Sequence, residues 1–251
     1  MSNPSQKVAF ITGGNRGLGF ETARALCEKG VHVVIGARDK AKGEEAVAKL
    51  KAKGLIASSI KFEATNEADH LDVKRHLETN HGHLDILINN AAIYLDNPNA
   101  SEAKPNHTST TDIALIRETF KTNFFEVVAL TQTLLPLIRK SPAGRIVNLS
   151  SIIGSLTLHT MTDSPIAQSK AFAYNASKTA LNAFTIHLAD ELRSTKIKVN
   201  SAHPGWVKTE MGGSSAMLEL QDGCKTSVKL AMLPDDGPTG GFFHLDESLP
   251  W

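Results

Sequence analysis

The chain has 251 residues, 41% of them hydrophobic and 21% charged, with a formal net charge of +1. This is the composition of one globular domain with a large core, and the near-zero charge gives no reason to expect nucleic acid or an anionic membrane as a partner. No apolar run approaches the roughly 18 residues of a spanning helix. The segment Met1–Lys7 lacks the charged region and apolar core of a signal peptide. Cys27 and Cys224 form no metal or redox spacing, and Cys27, beside Leu26 on a helix face, reads as core. The histidines are scattered without metal-ligand spacing. A cytoplasmic, metal-free protein is expected.

Short apolar runs alternate with helical patterns along the whole chain. Val8–Thr12 predicts a buried strand, followed by glycines and a helix over Leu18–Lys29. Val31–Gly36 predicts a second strand, Ala41–Lys53 an amphipathic helix, Ile56–Glu63 a third strand and Glu67–Asn80 a polar helix. Leu84–Asn89 is the fourth strand, and Ile93–Thr111, rich in Asn, Pro, Ser and Thr, is a long loop. A long helix is expected over Asp112–Arg139, with a kink at Pro136. Gly144–Ser150 is the fifth strand, a helix carries Tyr174 and Lys178, Ile197–Ala202 is the sixth strand, and Gly240–His244 is a short last one. Strands of near-continuous Val, Ile and Leu separated by helices predict an α/β fold. The expectation is a Rossmann-type, doubly wound, mostly parallel seven-stranded sheet covered by helices on both faces, in a single domain over 1–251. In such a sheet ligands bind beyond the carboxyl ends of the strands.

The first strand runs into Thr12-Gly13-Gly14-Asn15-Arg16-Gly17-Leu18-Gly19. Glycines there serve a tight turn, close approach of backbone to phosphate, and close packing of helix on strand. The helix N-terminus behind them presents N–H groups and its dipole to a pyrophosphate. After the second strand, where an acidic residue would accept bonds from the ribose, the chain has Ala37-Arg38. An arginine suits a 2′-phosphate, and Arg16 can approach the same group from the other side. NADP(H) is therefore expected over NAD(H). Asp39 is assigned to a helix N-cap. After the fourth strand, Asn89-Asn90-Ala91-Ala92 sets a polar pair before small residues, which let a flat ring or phosphodiester approach the backbone.

Tyr174 and Lys178 fall four apart on a helix and share a face. A phenol titrates near pH ~10. An ammonium about 4 Å away, at an effective dielectric of about 20, favours the phenolate by about 4 kcal/mol. Desolvation opposes this, and a tyrosine poised for acid–base work is the expected balance. After the fifth strand, Ser150-Ser151 offers hydroxyls that can bind a substrate carbonyl or cap a turn.

Thr12-Gly13-x-x-x-Gly17-x-Gly19, Asn89-Asn90-Ala91-Ala92, Ser151, Tyr174-x-x-x-Lys178 and Pro204-Gly205-Trp206-Val207-Lys208-Thr209 come in the order of the short-chain dehydrogenase/reductase family. The chain resembles that family over its whole length. Within it the likeness is to carbonyl-reductase-like members, through Gly13–Gly17, Ala37-Arg38-Asp39, Lys121–Phe125, Gly205–Thr209 and a tail from Leu230 to Trp251. The resemblance implies a catalytic set of Asn123, Ser151, Tyr174 and Lys178 within a catalytic region over 123–178. Tyr174 would protonate the carbonyl as hydride arrives, Ser151 would hold its oxygen, and Lys178 would lower the tyrosine and bind the nicotinamide ribose. Asn123 would hold a water of a proton relay. Ser150 competes for the serine role, and the family's habit favours Ser151.

Implied cofactor contacts are Gly13, Asn15, Arg16, Gly17, Leu18 and Gly19 of the turn at 12–19, with Arg38, Asn89 and Ala91. Tyr174, Lys178, Pro204, Gly205, Val207 and Thr209 complete them. Val207 and Thr209 would serve the nicotinamide end and Asn89 the adenosine ribose side. Departures are Ala92 where a glycine is usual, Glu63-Ala64-Thr65-Asn66 where an Asp is usual, and a longer stretch between Ser151 and Tyr174. That extra segment, near Leu158–Lys170, either lines the pocket or is an inert surface excursion. The substrate side is expected from 155–173 and 204–235, with Leu156, Leu158, Met161, Trp206, Met211 and Met217 as apolar contacts or core.

The expected activity is a reversible NADPH-dependent reduction of a ketone or aldehyde, acting on a small carbonyl or alcohol substrate. Alternatives are a non-catalytic NADP(H)-binding regulator, or a biosynthetic ketoacyl- or steroid-type reductase. Family members pair through the two long helices, here Asp112–Arg139 and Tyr174–Arg193. A homodimer or homotetramer is the implied assembly, and the faces of these helices serve core or interface equally well.

Overall fold

The computed structural model describes residues 6–96 and 108–251. Most of the predicted loop at 93–111 and the start of the chain thus lie outside the described residues. The chain alternates β1 (Val8–Thr12), α1 (Gly17–Glu28), β2 (His32–Ala37), α2 (Lys40–Lys51), β3 (Ala57–Lys61), α3 (Glu67–His81) and β4 (Ile86–Asn89). It continues through α4 (Ile113–Phe120), a π-helical turn (Lys121–Phe125), α5 (Glu126–Ile138), β5 (Arg145–Leu149), α6 (Leu156–Thr160), α7 (Phe172–Glu191) and β6 (Lys198–Ala202). Short helices α8 (Leu220–Gly223) and α9 (Lys225–Ala231) precede β7 (Phe242–His244) and β8 (Glu247–Ser248).

The sheet order is β3-β2-β1-β4-β5-β6-β7-β8. Among the described residues every pairing in it is parallel except β7 with β8. The expected doubly wound sheet is present with eight strands rather than seven. The eighth, Glu247–Ser248, is two residues long and turns back antiparallel at Leu245, whose φ is +54°. It carries no apolar run, so hydrophobic pattern does not reveal it.

Alternate residues of each strand feed two cores. Ala9, Ile11, Val33 and Ile35 pack with Leu26, Val47 and Leu50 of α1 and α2 on one face. Val8, Phe10, Val34 and Leu87 pack with Val73, Leu77, Leu134 and Leu188 of α3, α5 and α7 on the other. Burial of both faces explains why these strands read as continuous apolar runs. Cys27 is buried as expected, its thiol pushed up to about 11 by burial.

The long helix breaks elsewhere than expected. Pro136 sits inside α5, while the irregularity lies at Lys121–Phe125, where Glu126 N–H reaches back to the Lys121 carbonyl. A π-turn is an insertion into the helical ladder, and such turns concentrate at functional sites. This one carries Asn123.

At the edge of the sheet opposite the carboxyl ends of the strands, His32 of β2 meets His81, ring centroids 4.7 Å apart, with His76 beside it. Burial, then the charges of His32, His76 and His83, hold His81 down at about 4 against an ordinary 6.5. The folded state therefore binds this proton less readily than the unfolded chain. Its neutral form is accommodated above about pH 6.5, and stability falls as pH drops from there toward 4. Urea unfolding is expected to show a lower midpoint at pH 5 than at pH 7, with a smaller drop in His81→Gln. An equal drop in both would remove His81 as the cause.

Candidate active site

The order β3-β2-β1-β4-β5 places the chain's direction switch between β1 and β4, and the Gly-rich turn opens there. Gly13 and Gly17 take φ of +64° and +53°. A Cβ on Gly19 would stand 2.4 Å from the Gly13 carbonyl oxygen, whereas one on Gly17 would meet nothing within 4 Å. The turn is thus closely packed on its inner side and open above. Arg16, the residue before α1, makes no side-chain cap, so the first N–H groups of the helix face that open side. These features fit a dinucleotide pyrophosphate.

The turn is stitched to the one after β4. Thr12 Oγ1 accepts from the N–H groups of Asn90 and Ala91, both at 2.9 Å, and Asn90 Nδ2 donates to the Thr12 and Gly13 carbonyls at 2.8 and 3.3 Å. Asn90, rather than Asn89, grips the turn. Asn89 borders a narrow cleft shared with Thr12, Phe62, Ala64, Ala91 and Thr122. Its amide donates inward, to Asn148 Oδ1 at 2.8 Å and Thr131 Oγ1 at 3.1 Å, while its own Oδ1 is buried without a partner among the described residues.

Asp39 caps α2 through Lys42 N–H, as expected. Both arginines of the charge argument lie exposed beside carboxylates. Arg16 pairs with Glu210, and Arg38 Nε stands 3.9 Å from Glu63. A 2′-phosphate would exchange with these carboxylates.

At the ends of β5 and β6, Ser150 is buried with its hydroxyl unpartnered among the described residues, whereas Ser151 is half-buried and leaves its hydroxyl off the following turn. That exposure favours Ser151 for a reacting oxygen. Beyond β6, Gly205 takes φ +85°, and a Cβ on it would lie 2.3 Å from Leu218. Val207 bridges to Leu218 and is buried, and Thr209 Oγ1 accepts from Gly212 N–H at 2.9 Å.

Tyr174 and Lys178 are 8% and 2% exposed on α7. Lys178 Nζ donates to the Leu149 carbonyl at 2.8 Å and lies 5.4 Å from the centre of the Tyr174 ring. Gly154 makes room for this approach, because a Cβ there would sit 2.7 Å from Lys178 Cβ. Burial pushes the Lys178 amine down to about 7. Burial, reinforced by Tyr94, pushes the Tyr174 phenol up. The expected lowering of the tyrosine by its lysine is therefore corrected for this state. Desolvation dominates, so in the nucleotide-free protein burial makes Tyr174 a weaker acid than a free phenol.

Asn123 is fully buried. Its Oδ1 accepts from Ile93 N–H and its Nδ2 donates to the Ile93 carbonyl, both at 2.9 Å; Nδ2 also reaches Ser177 Oγ at 3.2 Å. Ser177 Oγ donates to the Tyr174 carbonyl at 2.7 Å. The side chain is thus a clamp between the segment after β4 and the catalytic helix.

The extra segment before Tyr174 forms α6 and a tethered loop. His159 bonds the Ile153 carbonyl at 2.9 Å, Asn175 Nδ2 donates to the Ser169 carbonyl at 2.8 Å, and Thr157 N–H donates to the Trp251 carbonyl at 2.8 Å. The Trp251 ring stacks on Phe242, so this contact joins α6 to the end of the sheet. These bonds tether the segment to the turn after Ser151, to α7 and to the end of the chain. Leu156, Met161, Trp206, Met211 and Met217 are all exposed rather than core, Met217 at 78%. A surface concavity of about 480 Å³ between Arg139, Ser141, Glu191 and Lys196 lies at the opposite end of the strands and holds no predicted site residue.

Sequence reasoning missed Tyr94, whose ring lies 5.0 Å from that of Tyr174, and Asp96, which bonds the first turn of α7. The one available signal was Ala171 at the start of α7, where a capping side chain is absent.

The model of the family described as short chain dehydrogenase matches residues 7–218. Mouse carbonyl reductase [NADPH] 1 is 32% identical, over 98% of this chain and 99% of its own length. The structure of salutaridine reductase from Papaver somniferum superposes with a TM-score of 0.81 at 30% identity, covering 95% of this chain and 99% of that one. An NADPH-bound carbonyl reductase from chicken fatty liver gives 0.81 at 25% identity, over 98% and 94%.

A buried amine without a carboxylate partner costs stability. Replacing it by Lys178→Met is expected to stabilise the nucleotide-free protein at pH 7 by on the order of 1–3 kcal/mol in thermal unfolding. A destabilised variant would show that the bond to Leu149 outweighs the burial.

Proposed function

The chain belongs to the short-chain dehydrogenase family and is an oxidoreductase, and from that premise we propose that it is an NADPH-dependent reductase of ketone or aldehyde carbonyls, running reversibly. The observation that carries this is Tyr174 buried beside Lys178 on one face of α7, with the hydroxyl of Ser151, which makes no cap bond, at the end of the adjoining strand. NADPH, when bound, supplies the hydride.

The Gly-rich turn, the open N-terminus of α1 and Ala91 hold the cofactor's phosphates and the backbone near them. Arg16 and Arg38 select the 2′-phosphate by releasing Glu210 and Glu63 to solvent. Both pairs are exposed and hence weak, so the exchange meets little resistance. Pro204, Gly205, Val207 and Thr209 form the wall beyond β6.

Ser151 orients the carbonyl oxygen by donating a hydrogen bond and stabilises the charge that develops on it. Tyr174 delivers the proton to that oxygen. Lys178, with an amine near neutrality, returns a proton toward Tyr174, and Asn123 keeps both residues in register through Ser177 and Ile93. The exposed apolar side chains of 155–173 and 204–235 favour a hydrophobic carbonyl compound. A cytoplasmic homodimer or homotetramer paired through α4–α5 and α7 completes the proposal, supported by the exposed Ile113, Phe125 and Ile186 on those helices.

The test is oxidation of NADPH and NADH against a panel of ketones, aldehydes and quinones. NADPH is expected to be preferred. Tyr174→Phe is expected to lose kcat by about 10²- to 10⁴-fold, the usual contribution of a general acid. Unchanged turnover in Tyr174→Phe would overturn the mechanism, and a preference for NADH would overturn the roles of Arg16 and Arg38.

A further inference from the structure

Helix α7 begins at Phe172 with Ala171 before it, and Ala171 offers no side chain to its first N–H groups. A helix start left uncapped leaves donors unsatisfied in its first turn. Here two of them are met from a distant part of the chain. Asp96 Oδ1 accepts from Ala173 N–H at 2.8 Å and Asp96 Oδ2 from Tyr174 N–H at 2.9 Å. Asp96 is only 4% exposed. It occupies the place that an N-cap side chain would fill, with the negative charge that a helix N-terminus favours.

The segment that carries Asp96 is itself fixed at its other end. Ile93 is held through both its N–H and its carbonyl by Asn123, and Tyr94, between the two anchors, lays its ring against Tyr174. Four hydrogen bonds thus lock residues 93–96 between the π-turn and α7. Two of the four end on the first turn of the catalytic helix, one of them on Tyr174 itself.

We infer that Asp96 is a positioning residue for the reaction: its carboxylate fixes the first turn of α7 so that the Tyr174 hydroxyl meets the substrate oxygen. This rests on the reductase function proposed above. The Gly-rich turn is tied to the turn after β4 by bonds of Thr12 and Asn90, none of which involves Asp96, so the consequence of losing the carboxylate is expected to fall more on turnover than on cofactor affinity. A displacement of about 1 Å in a reacting group lowers rates by up to about a hundredfold.

The experiment compares wild type, Asp96→Ala and Asp96→Asn for kcat and KM with the carbonyl that wild type reduces fastest in the panel, for NADPH Kd by fluorescence, and for amide hydrogen exchange at Ala173 and Tyr174. Asp96→Ala is expected to lose kcat by about 10- to 100-fold, with KM and NADPH Kd within about threefold of wild type and faster exchange at both amides. Asp96→Asn keeps one acceptor oxygen and is expected to lose only a few-fold, a partial rescue that also decides the matter if Asp96→Ala fails to fold. Wild-type kcat in Asp96→Ala, or in Asp96→Asn alone where only that variant folds, overturns the inference. Loss of NADPH binding in proportion to kcat overturns it also, since the damage is then general. A wild-type protein that reduces no carbonyl in the panel overturns instead the reductase function on which it rests.

Discussion

The amine of Lys178 is the constraint around which the catalytic half of the molecule is arranged. It is buried, it donates to the carbonyl of Leu149, and burial holds it near 7. An amine in such a place is unfavourable unless the structure around it is fixed. The end of β5 is brought to it by strand pairing, Gly154 is small enough to let α7 pack close at Lys178, and α7 carries it four residues from Tyr174. The same burial that depresses the lysine raises the phenol. One environment therefore disfavours charge on both groups, the phenolate of Tyr174 and the ammonium of Lys178.

A second constraint lies at the switch between β1 and β4. Thr12 and Asn90 tie the Gly-rich turn to the turn after β4 with four hydrogen bonds. The clamp from Asn123 to Ile93 then links the segment after β4 to the catalytic helix. The Gly-rich turn and the helix of Tyr174 are thereby connected through the buried side chains of Thr12, Asn90 and Asn123 bonded to backbone.

Much of this was legible in the amino-acid sequence. Buried parallel strands write themselves as Val8–Thr12 or Leu84–Asn89 because both faces are apolar, and the Gly-rich turn and Tyr174-x-x-x-Lys178 have fixed spacing. What escaped was non-local or uncharacteristic of its residue type. The π-turn at Lys121–Phe125 has no breaker residue, whereas Pro136, which does look like one, sits in a continuous helix. Asp96 bonds a helix N–H at Ala173, 77 residues further on, a partnership no local pattern announces. Asn89 and Asn90 are identical in composition, and only the strand's alternation decides which faces the Gly-rich turn. The sign of the Tyr174 shift was missed because pairing was weighed before burial, and burial is known only once the fold is.

The extra segment before Tyr174 is bonded into the structure on three sides. It is tied to the turn after Ser151 through His159, to α7 through Asn175 and to the chain's last strands through Trp251, and it presents Leu156 and Met161 outward, as the segment after β6 presents Trp206 and Met217. In the proposed reductase this apolar rim would set which carbonyls approach the buried pair. The account stands most directly on the state of the buried lysine. NMR titration of the ¹⁵Nζ-labelled Lys178 in the nucleotide-free protein, assigned by Lys178→Met, is predicted to show a midpoint near 7. A midpoint at the ordinary lysine value of about 10.4 would contradict it.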